Sequence, residues 1–72
     1  MRNVAITTEF IKLDALLKYA ALFSSGGEAK AAVEEGLVRV NGEVCILRGK
    51  KLRPGDTVEI NGETLRVTGH ES

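Results

Sequence analysis

Residues 24–42, SSGGEAKAAVEEGLVRVNG, change from a helical to a β pattern within one short stretch and decide the fold class. Ser25 with Glu28 three positions later is a capping-box pattern, which begins a helix. Gly36 stands where helices often end on a glycine. Asn41-Gly42 is a strong signal for a two-residue hairpin turn. A helix followed directly by a hairpin predicts a small α+β domain.

Two helices are predicted, one on each side of the Ser24–Gly27 break. Apolar residues recur at helical spacing from Leu13 to Phe23, which predicts a first helix over that range. The second helix follows Ser25. Two short helices joined by a tight, glycine-containing turn form an αα-hairpin. Before them, the β-branched and aromatic segment Val4–Ile11 predicts a short strand.

The remaining chain has the pattern of two antiparallel hairpins. Leu37–Val40 and Glu43–Leu47 flank the first Asn-Gly turn and are predicted to pair. Thr57–Ile60 and Glu63–Val67 flank a second turn of the same type, Asn61-Gly62. The order of a strand, a helix pair and several strands predicts helices packed on a small, mainly antiparallel sheet.

The boundaries of the domain follow from length and turn chemistry. Arg53–Asp56 has proline and glycine in the central positions of a type II turn, which separates the two hairpins. With 72 residues, of which 43% are hydrophobic and 28% charged, the chain is expected to form one globular domain over residues 1–72. We expect its core within about residues 6–67 and a flexible tail at residues 68–72.

Composition excludes several classes of protein. The single cysteine, Cys45, cannot form an intramolecular disulfide, which fits a reducing compartment. A structural zinc site needs about four ligands, and Cys45 with His70 falls short. The sequence has no secretory signal pattern and no apolar run of the roughly 20 residues that span a membrane. A cytoplasmic protein without metal or other cofactor is therefore expected.

The sequence contains no recognisable catalytic group. His70, the only histidine, lies in the predicted tail, where a general base would lack a fixed geometry. Cys45 has no neighbouring residue that would activate its thiol. Gly26-Gly27 resembles part of a phosphate-binding loop, but the GxxxxGK[ST] pattern is missing. The glycines either permit the turn or let the helix N-terminus hold one phosphate together with Lys30.

Charge is balanced in total but uneven along the chain. Ten lysines and arginines offset ten aspartates and glutamates, yet no acid lies between Glu43 and Asp56. The interval contains four cations, namely Arg48, Lys50, Lys51 and Arg53. Such a loop is suited to contact phosphates. On composition alone, a solvated loop that balances acids elsewhere is the slightly favoured explanation of the run.

The number of aromatic residues limits the class of nucleic acid that the chain could bind. Only Phe10, Tyr19 and Phe23 are present, and Phe10 and Phe23 are expected in the core. Proteins that bind single strands use exposed rings on which bases stack. Because this chain lacks such a set, any RNA that it binds is expected to be folded or double-stranded.

The combined motifs resemble the S4-type RNA-binding domain, whose fold is also called alpha-L. The resemblance rests on Lys12-Leu13-Asp14, the helix to Phe23, Glu28-Ala29-Lys30, Val38–Gly42 and Leu52–Val58. Ser25–Lys30 together with Arg48–Leu52 is most similar to the free-standing bacterial members, the YbcJ/YaaA-like proteins. Gly26 stands where many S4-type domains have an arginine, and the free-standing members share this Gly-Gly form.

The resemblance implies a non-catalytic protein that holds structured RNA on the helix pair and the adjoining loop. The RNA would be ribosomal RNA, or the partner a ribosomal particle or its proteins, with no small-molecule substrate. The residues implied in RNA binding are Lys12, Lys18, Ser25, Gly26, Gly27, Lys30, Arg48, Lys50, Lys51 and Arg53.

Two other functions remain open. A protein-interaction module of small β-rich type needs no basic loop, so charge reversal at Lys50 and Lys51 would spare it. A helix-turn-helix DNA-binding protein needs polar side chains directed at base edges. The second helix instead has Glu28, Glu34 and Glu35 on its polar side, and these acids would repel phosphate.

Overall fold

The computed structural model describes residues 2–69, in which two helices pack against a five-stranded sheet beside a separate two-stranded one. The spacing of apolar residues indicates which segments form strands and which form helices, since alternation favours strands and a spacing of three to four residues favours helices. Along the chain they are β1 (Arg2–Ile6), β2 (Ile11–Lys12), α1 (Leu13–Tyr19), α2 (Gly26–Glu34), β3 (Val38–Val40), β4 (Glu43–Val44), β5 (Lys51–Leu52), β6 (Thr57–Ile60) and β7 (Glu63–Gly69).

The five-stranded sheet has the order β1-β7-β6-β3-β4. Strand β1 runs parallel to β7, with Val4 opposite Val67, and all other pairs are antiparallel. Strands β2 and β5 form the second, antiparallel sheet. The prediction of a small α+β domain with a helix pair on a mainly antiparallel sheet is confirmed.

The core lies between the helices and one face of the sheet. Alternate residues along the strands point inward, so β6 buries Val58 and Ile60 while Glu59 is exposed. Every buried residue in the described part of the chain is apolar. The side chains with no exposed surface include Leu13, Leu16, Leu17, Ala29, Val33, Val38, Leu52, Val58, Leu65 and Val67.

Both Asn-Gly turns form as predicted. Asn41 and Gly42 have φ angles of 52° and 86°, and Asn61 and Gly62 have φ angles of 50° and 78°. Positive φ at both central residues defines the type I′ turn that fits the twist of a hairpin. The predicted type II turn is also present, because Gly55 has a φ of 103° and the Asp56 N–H donates to the Arg53 carbonyl at 3.0 Å.

Helix α1 is shorter than predicted, since it ends at Tyr19 rather than Phe23. Ala21 takes a left-handed conformation with a φ of 60°. Its N–H donates to the Lys18 carbonyl, and the Leu22 N–H donates to the Leu17 carbonyl, the bonding pattern of a Schellman C-terminus. Leu22 and Phe23 still pack against the core. The apolar spacing in the sequence therefore extends beyond the end of the helix, which is why the helix was predicted to be longer.

Helix α2 begins and ends where its sequence signals predict. The Ser25 Oγ accepts a hydrogen bond from the Glu28 N–H at 3.3 Å, which satisfies one free donor of the first turn. The Glu28 carboxylate accepts from the Ser24 hydroxyl at 3.2 Å instead of returning to Ser25, so only half of the capping box forms. Gly36, with a φ of 78°, follows the helix end.

Several predicted strands differ from those in the structure. The predicted strand Val4–Ile11 is two strands in two different sheets, because residues 7–9 bend between β1 and β2. The predicted strand Glu43–Leu47 is regular only at Glu43–Val44, although the Cys45 N–H still donates to the Val38 carbonyl at 3.0 Å. Strand β5 lies inside the loop that was predicted to be irregular.

The predicted tail also begins too early. Thr68 and Gly69 belong to β7, where they lie opposite Ala5 and Ile6 of β1. A parallel partner strand extends the ladder beyond the last apolar position, which the sequence pattern could not show. Residues 70–72, including His70, lie outside the described residues.

Within residues 2–69, neither helix has the length and apolar character needed to cross a membrane.

Candidate nucleic-acid interface

The basic loop is part of a two-stranded ribbon. In the pairing of β2 with β5, Ile11 lies opposite Leu52 and Lys12 lies opposite Lys51. We call residues 10–12 together with residues 48–53 the basic ribbon. The structure thus brings Lys12, which is far away along the chain, directly against the cations of the loop.

Alternation gives the basic ribbon an apolar and a charged face. Leu52 has no exposed surface, and Ile11 packs against the core cluster. Directly opposite residues of an antiparallel pair point to the same face, so Lys12 and Lys51 point together away from the core. Both lysines are exposed. The apolar face therefore fixes the ribbon to the domain and leaves the lysine pair accessible.

The first end of the loop is tied to the start of helix α1. The Leu13 N–H donates to the Lys50 carbonyl at 2.9 Å, and the Asp14 N–H donates to the Arg48 carbonyl at 3.0 Å. Lys12, the N-cap residue, makes no side-chain cap, so these loop carbonyls satisfy the free donors of the first turn. Arg48 and Lys50 are thereby held at the N-terminal end of α1.

The second end of the loop is held by Asp56. Its carboxylate accepts from the Arg53 N–H at 2.8 Å and from the Asn41 side-chain amide at 3.2 Å. The Asn41 side-chain oxygen in turn accepts from the Thr57 N–H at 3.0 Å. This network joins the type II turn to the first hairpin turn. The basic ribbon is thereby anchored at both ends on elements of the fold.

Phe10 is the residue of the site that the sequence analysis placed wrongly. It was predicted to lie in the core, but it is half-buried and lies outside the core cluster. The Lys51 Nζ lies 4.9 Å from the centroid of its ring, within the range of a cation–π interaction. Phe10 lies two residues before Lys12, a spacing that places side chains on the same face of extended backbone. The sequence could have indicated the position of Phe10 only if β2 had been recognised as a strand.

The remaining cations of the loop are open to solvent. Arg48, Lys50 and Arg53 are exposed. No three His, Cys, Asp or Glu side chains within residues 2–69 are grouped to hold a metal ion. The charged groups available here therefore suit a polyanion.

The other predicted RNA-binding residues lie on the helix pair. Lys18 in α1 and Lys30 in α2 are exposed. Ser25, Gly26 and Gly27 form the exposed start of α2, and the Ser25 Oγ is engaged as the helix cap. Neither lysine of the helix pair has the cross-strand register that links Lys12 with Lys51.

Gly26 and Gly27 are not required by the fold. A Cβ atom at Gly26 would meet nothing within 4 Å, and one at Gly27 would lie 3.9 Å from the Ser25 Oγ. Neither residue has the positive φ that favours glycine. The interpretation that these glycines merely permit the turn is therefore not supported by the backbone.

An apolar segment continues from the basic ribbon. Val44, Ile46 and Leu47 are 56%, 59% and 65% exposed, and they line a groove of about 420 Å³ together with Lys50. Cys45, the only cysteine, is half-buried there, and its thiol donates to the Leu47 carbonyl at 3.7 Å. The segment lies along β4, the edge of the five-stranded sheet.

Sequence comparisons identify relatives over most of the chain. A family model described as "S4 domain" matches residues 4–68. A Bacillus subtilis (strain 168) protein named "Probable ribosome maturation protein RlbA" is 48% identical over 59 residues, which cover 82% of this chain and 83% of that protein. An Escherichia coli (strain K12) protein named "Putative RNA-binding protein YbcJ" is 37% identical over 57 residues, which cover 79% of this chain and 81% of that protein.

A solved structure shares the fold. The 30S ribosomal protein S4e from Thermoplasma acidophilum superposes with a TM-score of 0.70 at 28% sequence identity. The match covers 83% of this chain but only 32% of the archaeal protein. The shared part is therefore about a third of that larger ribosomal protein.

Proposed function

The chain belongs to the S4 domain family, and on this premise we propose that it is a non-catalytic protein that binds structured RNA of the ribosome. The observation that carries the proposal is the register of the basic ribbon, which sets Lys12 directly opposite Lys51 on an exposed face. Like charges in such a cross-strand pair are destabilising. A phosphate group bound between them would offset that cost.

Phosphate contacts would come mainly from the basic ribbon. Lys12, Lys50 and Lys51 supply ammonium groups, while Arg48 and Arg53 supply planar donors that suit phosphate oxygens. The positive end of α1 lies beneath the same loop. Contacts of this kind position the protein on its RNA without specifying sequence.

The helix pair would extend the surface. Lys18 and Lys30 add exposed cations, and the exposed Gly26 and Gly27 amides at the start of α2 can donate to a phosphate oxygen. Because no Cβ is present at either glycine, an RNA backbone can approach these amides closely. Ser25 would retain its hydroxyl hydrogen as a donor while its oxygen caps the helix.

The distribution of aromatic rings favours folded RNA over an unstructured strand. Tyr19 is 66% exposed, whereas Phe10 is half-buried beneath Lys51 and Phe23 packs against the core. One exposed ring is not a row of stacking positions. We therefore expect recognition of the shape and phosphate geometry of a helix or folded element.

The relatives give the proposal its biological context. One is named as a ribosome maturation protein, and the structural neighbour is a ribosomal protein. Ribosomal RNA, free or in a ribosomal particle, is accordingly the proposed partner, and the cytoplasm the proposed compartment. Neither catalytic residues nor a cofactor are proposed.

A protein-interaction role is the second candidate. It is favoured by the exposed apolar side chains of Val44, Ile46 and Leu47 at the edge of the sheet, which phosphate binding does not require. Introducing a charge with Ile46→Asp would disrupt such a contact and leave the ribbon cations in place. Lys50→Glu with Lys51→Glu would remove cations of the ribbon and leave the apolar side chains of the protein contact in place.

The decisive experiment is binding of the purified protein to structured ribosomal RNA fragments over a salt series. The Lys50→Glu/Lys51→Glu variant removes two cations from the basic ribbon. Arg2→Glu/Arg66→Glu is the matched control, because it changes the net charge equally at exposed positions on β1 and β7. Each lost phosphate contact should reduce the salt slope by about 0.7–0.9.

We expect steep salt dependence in the wild type and the sheet control. The ribbon variant should bind more weakly by about a hundredfold or more, since removal of two phosphate contacts is compounded by repulsion. Equal losses in both variants would show that only net charge matters. Absence of binding by the wild type at low salt would refute the proposed function and direct attention to the Val44–Leu47 edge.

A further inference from the structure

We propose that Phe10 is a positioning residue that holds the Lys51 ammonium beside Lys12, so that the two lysines bind one RNA phosphate together. This inference rests on the proposed function and assigns a role to a side chain that carries no charge. It follows from the strand register, the position of the Lys51 Nζ and the exposure of the three residues.

The register places the two lysines close enough to share a ligand. Residues directly opposite in an antiparallel pair have Cβ atoms about 4.5–5.5 Å apart. Lys12 and Lys51 occupy such a pair and are both exposed. Without an anion their ammonium groups repel each other, and each flexible side chain is free to turn away into water. A phosphate has several oxygens and can accept from both groups at once.

Phe10 limits that freedom for one of the two lysines. It lies directly before β2, two residues before Lys12, which is the cross-strand partner of Lys51. The ring lies 4.9 Å from the Lys51 Nζ. Immobilising a long, flexible side chain on binding has an entropic cost. A lysine already held over a ring loses less freedom when it meets a phosphate.

The backbone at Phe10 is held in place, although the side chain is not part of the core. The Thr8 hydroxyl donates to the Phe10 carbonyl at 2.7 Å, and the neighbouring Ile11 packs against the core. Phe10 lies outside the core cluster. Its replacement can therefore change the placement of Lys51 while the domain stays folded, which separates this role from a structural one.

The test is a double-mutant cycle of RNA affinity with Phe10→Leu and Lys51→Met, measured on one structured ribosomal RNA fragment. Phe10→Leu should weaken binding about two- to fivefold, the size of an exposed cation–π interaction. In the Lys51→Met background it should have no further effect. Phe10→Tyr, which keeps the ring, should bind like the wild type. Lys51→Met should lower the salt slope by about 0.7–0.9, whereas Phe10→Leu should leave it unchanged.

Two controls separate positioning from a general structural effect. Phe10→Leu combined with Lys30→Met should show additive losses, because Lys30 lies on α2 and not on the basic ribbon. In the free protein, the ring current of Phe10 should shift the Lys51 ε-methylene protons upfield, and Phe10→Leu should abolish that shift. Thermal unfolding of each variant confirms that the folded state is compared.

Each contrary result has a distinct meaning. An equal loss from Phe10→Leu with and without Lys51 would overturn the positioning role while leaving RNA binding intact. The same conclusion would follow if Phe10→Tyr were as weak as Phe10→Leu. Failure of the wild type to bind any structured RNA fragment would refute the proposed function, and this inference with it.

Discussion

The two sheets of this protein differ in the charges that they place opposite each other on neighbouring strands. In the five-stranded sheet, Arg39 of β3 lies opposite Glu59 of β6, so an exposed pair combines opposite charges. In the basic ribbon, Lys12 of β2 lies opposite Lys51 of β5, so an exposed pair combines like charges. Both sheets bury an apolar face and expose a polar one, and only the sign of the charges differs.

The charge pair of one sheet suits stability, whereas that of the other suits binding of an anion. Opposite charges across a pair stabilise a sheet by a few tenths of a kcal/mol to about 1 kcal/mol, and like charges destabilise it. The five-stranded sheet therefore has the arrangement expected for stability alone. The basic ribbon has an arrangement that is favourable only with an anion present. Neutral total charge, with ten residues of each sign, conceals this local excess.

The largest expected effect tests whether the basic ribbon shares the core of the main sheet. Leu52 of β5 and Leu65 of β7 are both fully buried in one cluster. Leu52→Ala and Leu65→Ala should each lower the free energy of unfolding by about 2–5 kcal/mol. Chemical denaturation measures both. A loss below about 1 kcal/mol for Leu52→Ala alone would show that the ribbon is only loosely attached.

The second prediction concerns Asp56, whose hydrogen bonds anchor the basic ribbon to the first hairpin turn of the five-stranded sheet. Asp56→Ala removes the acceptors of the Arg53 N–H and the Asn41 amide, which should lower the free energy of unfolding by about 1–3 kcal/mol. Hydrogen exchange of the loop amides should increase more than that of β6 and β7. Asp56→Asn, which keeps one acceptor oxygen, is the control and should cost less. Uniform acceleration of exchange would mean that Asp56 stabilises the whole fold instead.

The smallest effect contrasts the two charge pairs directly. Lys12→Gln should raise the free energy of unfolding by about 0.2–1 kcal/mol at low salt, because it removes a like-charge contact. Arg39→Gln should lower it by a similar amount, because it removes an attraction. Both changes should shrink in high salt. Changes of the same sign in denaturation experiments would contradict the comparison between the two sheets.

Much of the fold could be predicted because turn chemistry acts locally. Both Asn-Gly turns, the Pro54-Gly55 turn, the Ser25 cap and the glycine after α2 form where the sequence indicates. Strand β6 has the predicted bounds. These features depend on the conformations available to one or two residues, so they need no knowledge of the tertiary structure.

The errors arose where distant segments decide the outcome. Strand β5 exists because β2 lies beside it, and β7 continues to Gly69 because β1 lies parallel to it. Helix α1 ends at Tyr19 and is followed by Ala21 in a left-handed conformation that is uncommon for alanine, so no glycine marked the end. Local propensity contains no information on either partner strand.

The candidate site was predicted in part. The cations of the loop followed from their density in the sequence, and Lys12 followed from the resemblance to S4-type domains. Phe10 was missed because its aromatic side chain suggested burial, and only the pairing of β2 with β5 places its ring beside Lys51. RNA contact stays a prediction for all of these residues, as it does for Lys18, Lys30 and the Ser25–Gly27 segment.

The central claim, that the basic ribbon is the RNA-binding surface, is tested most directly by NMR titration of the ¹⁵N-labelled protein with a structured ribosomal RNA fragment. We expect the largest amide shifts at residues 10–13 and 48–53, smaller shifts at residues 25–30, and little change in β1 and β7. Shifts concentrated on the exposed face of β1 and β7, or on Val44–Leu47, would contradict it.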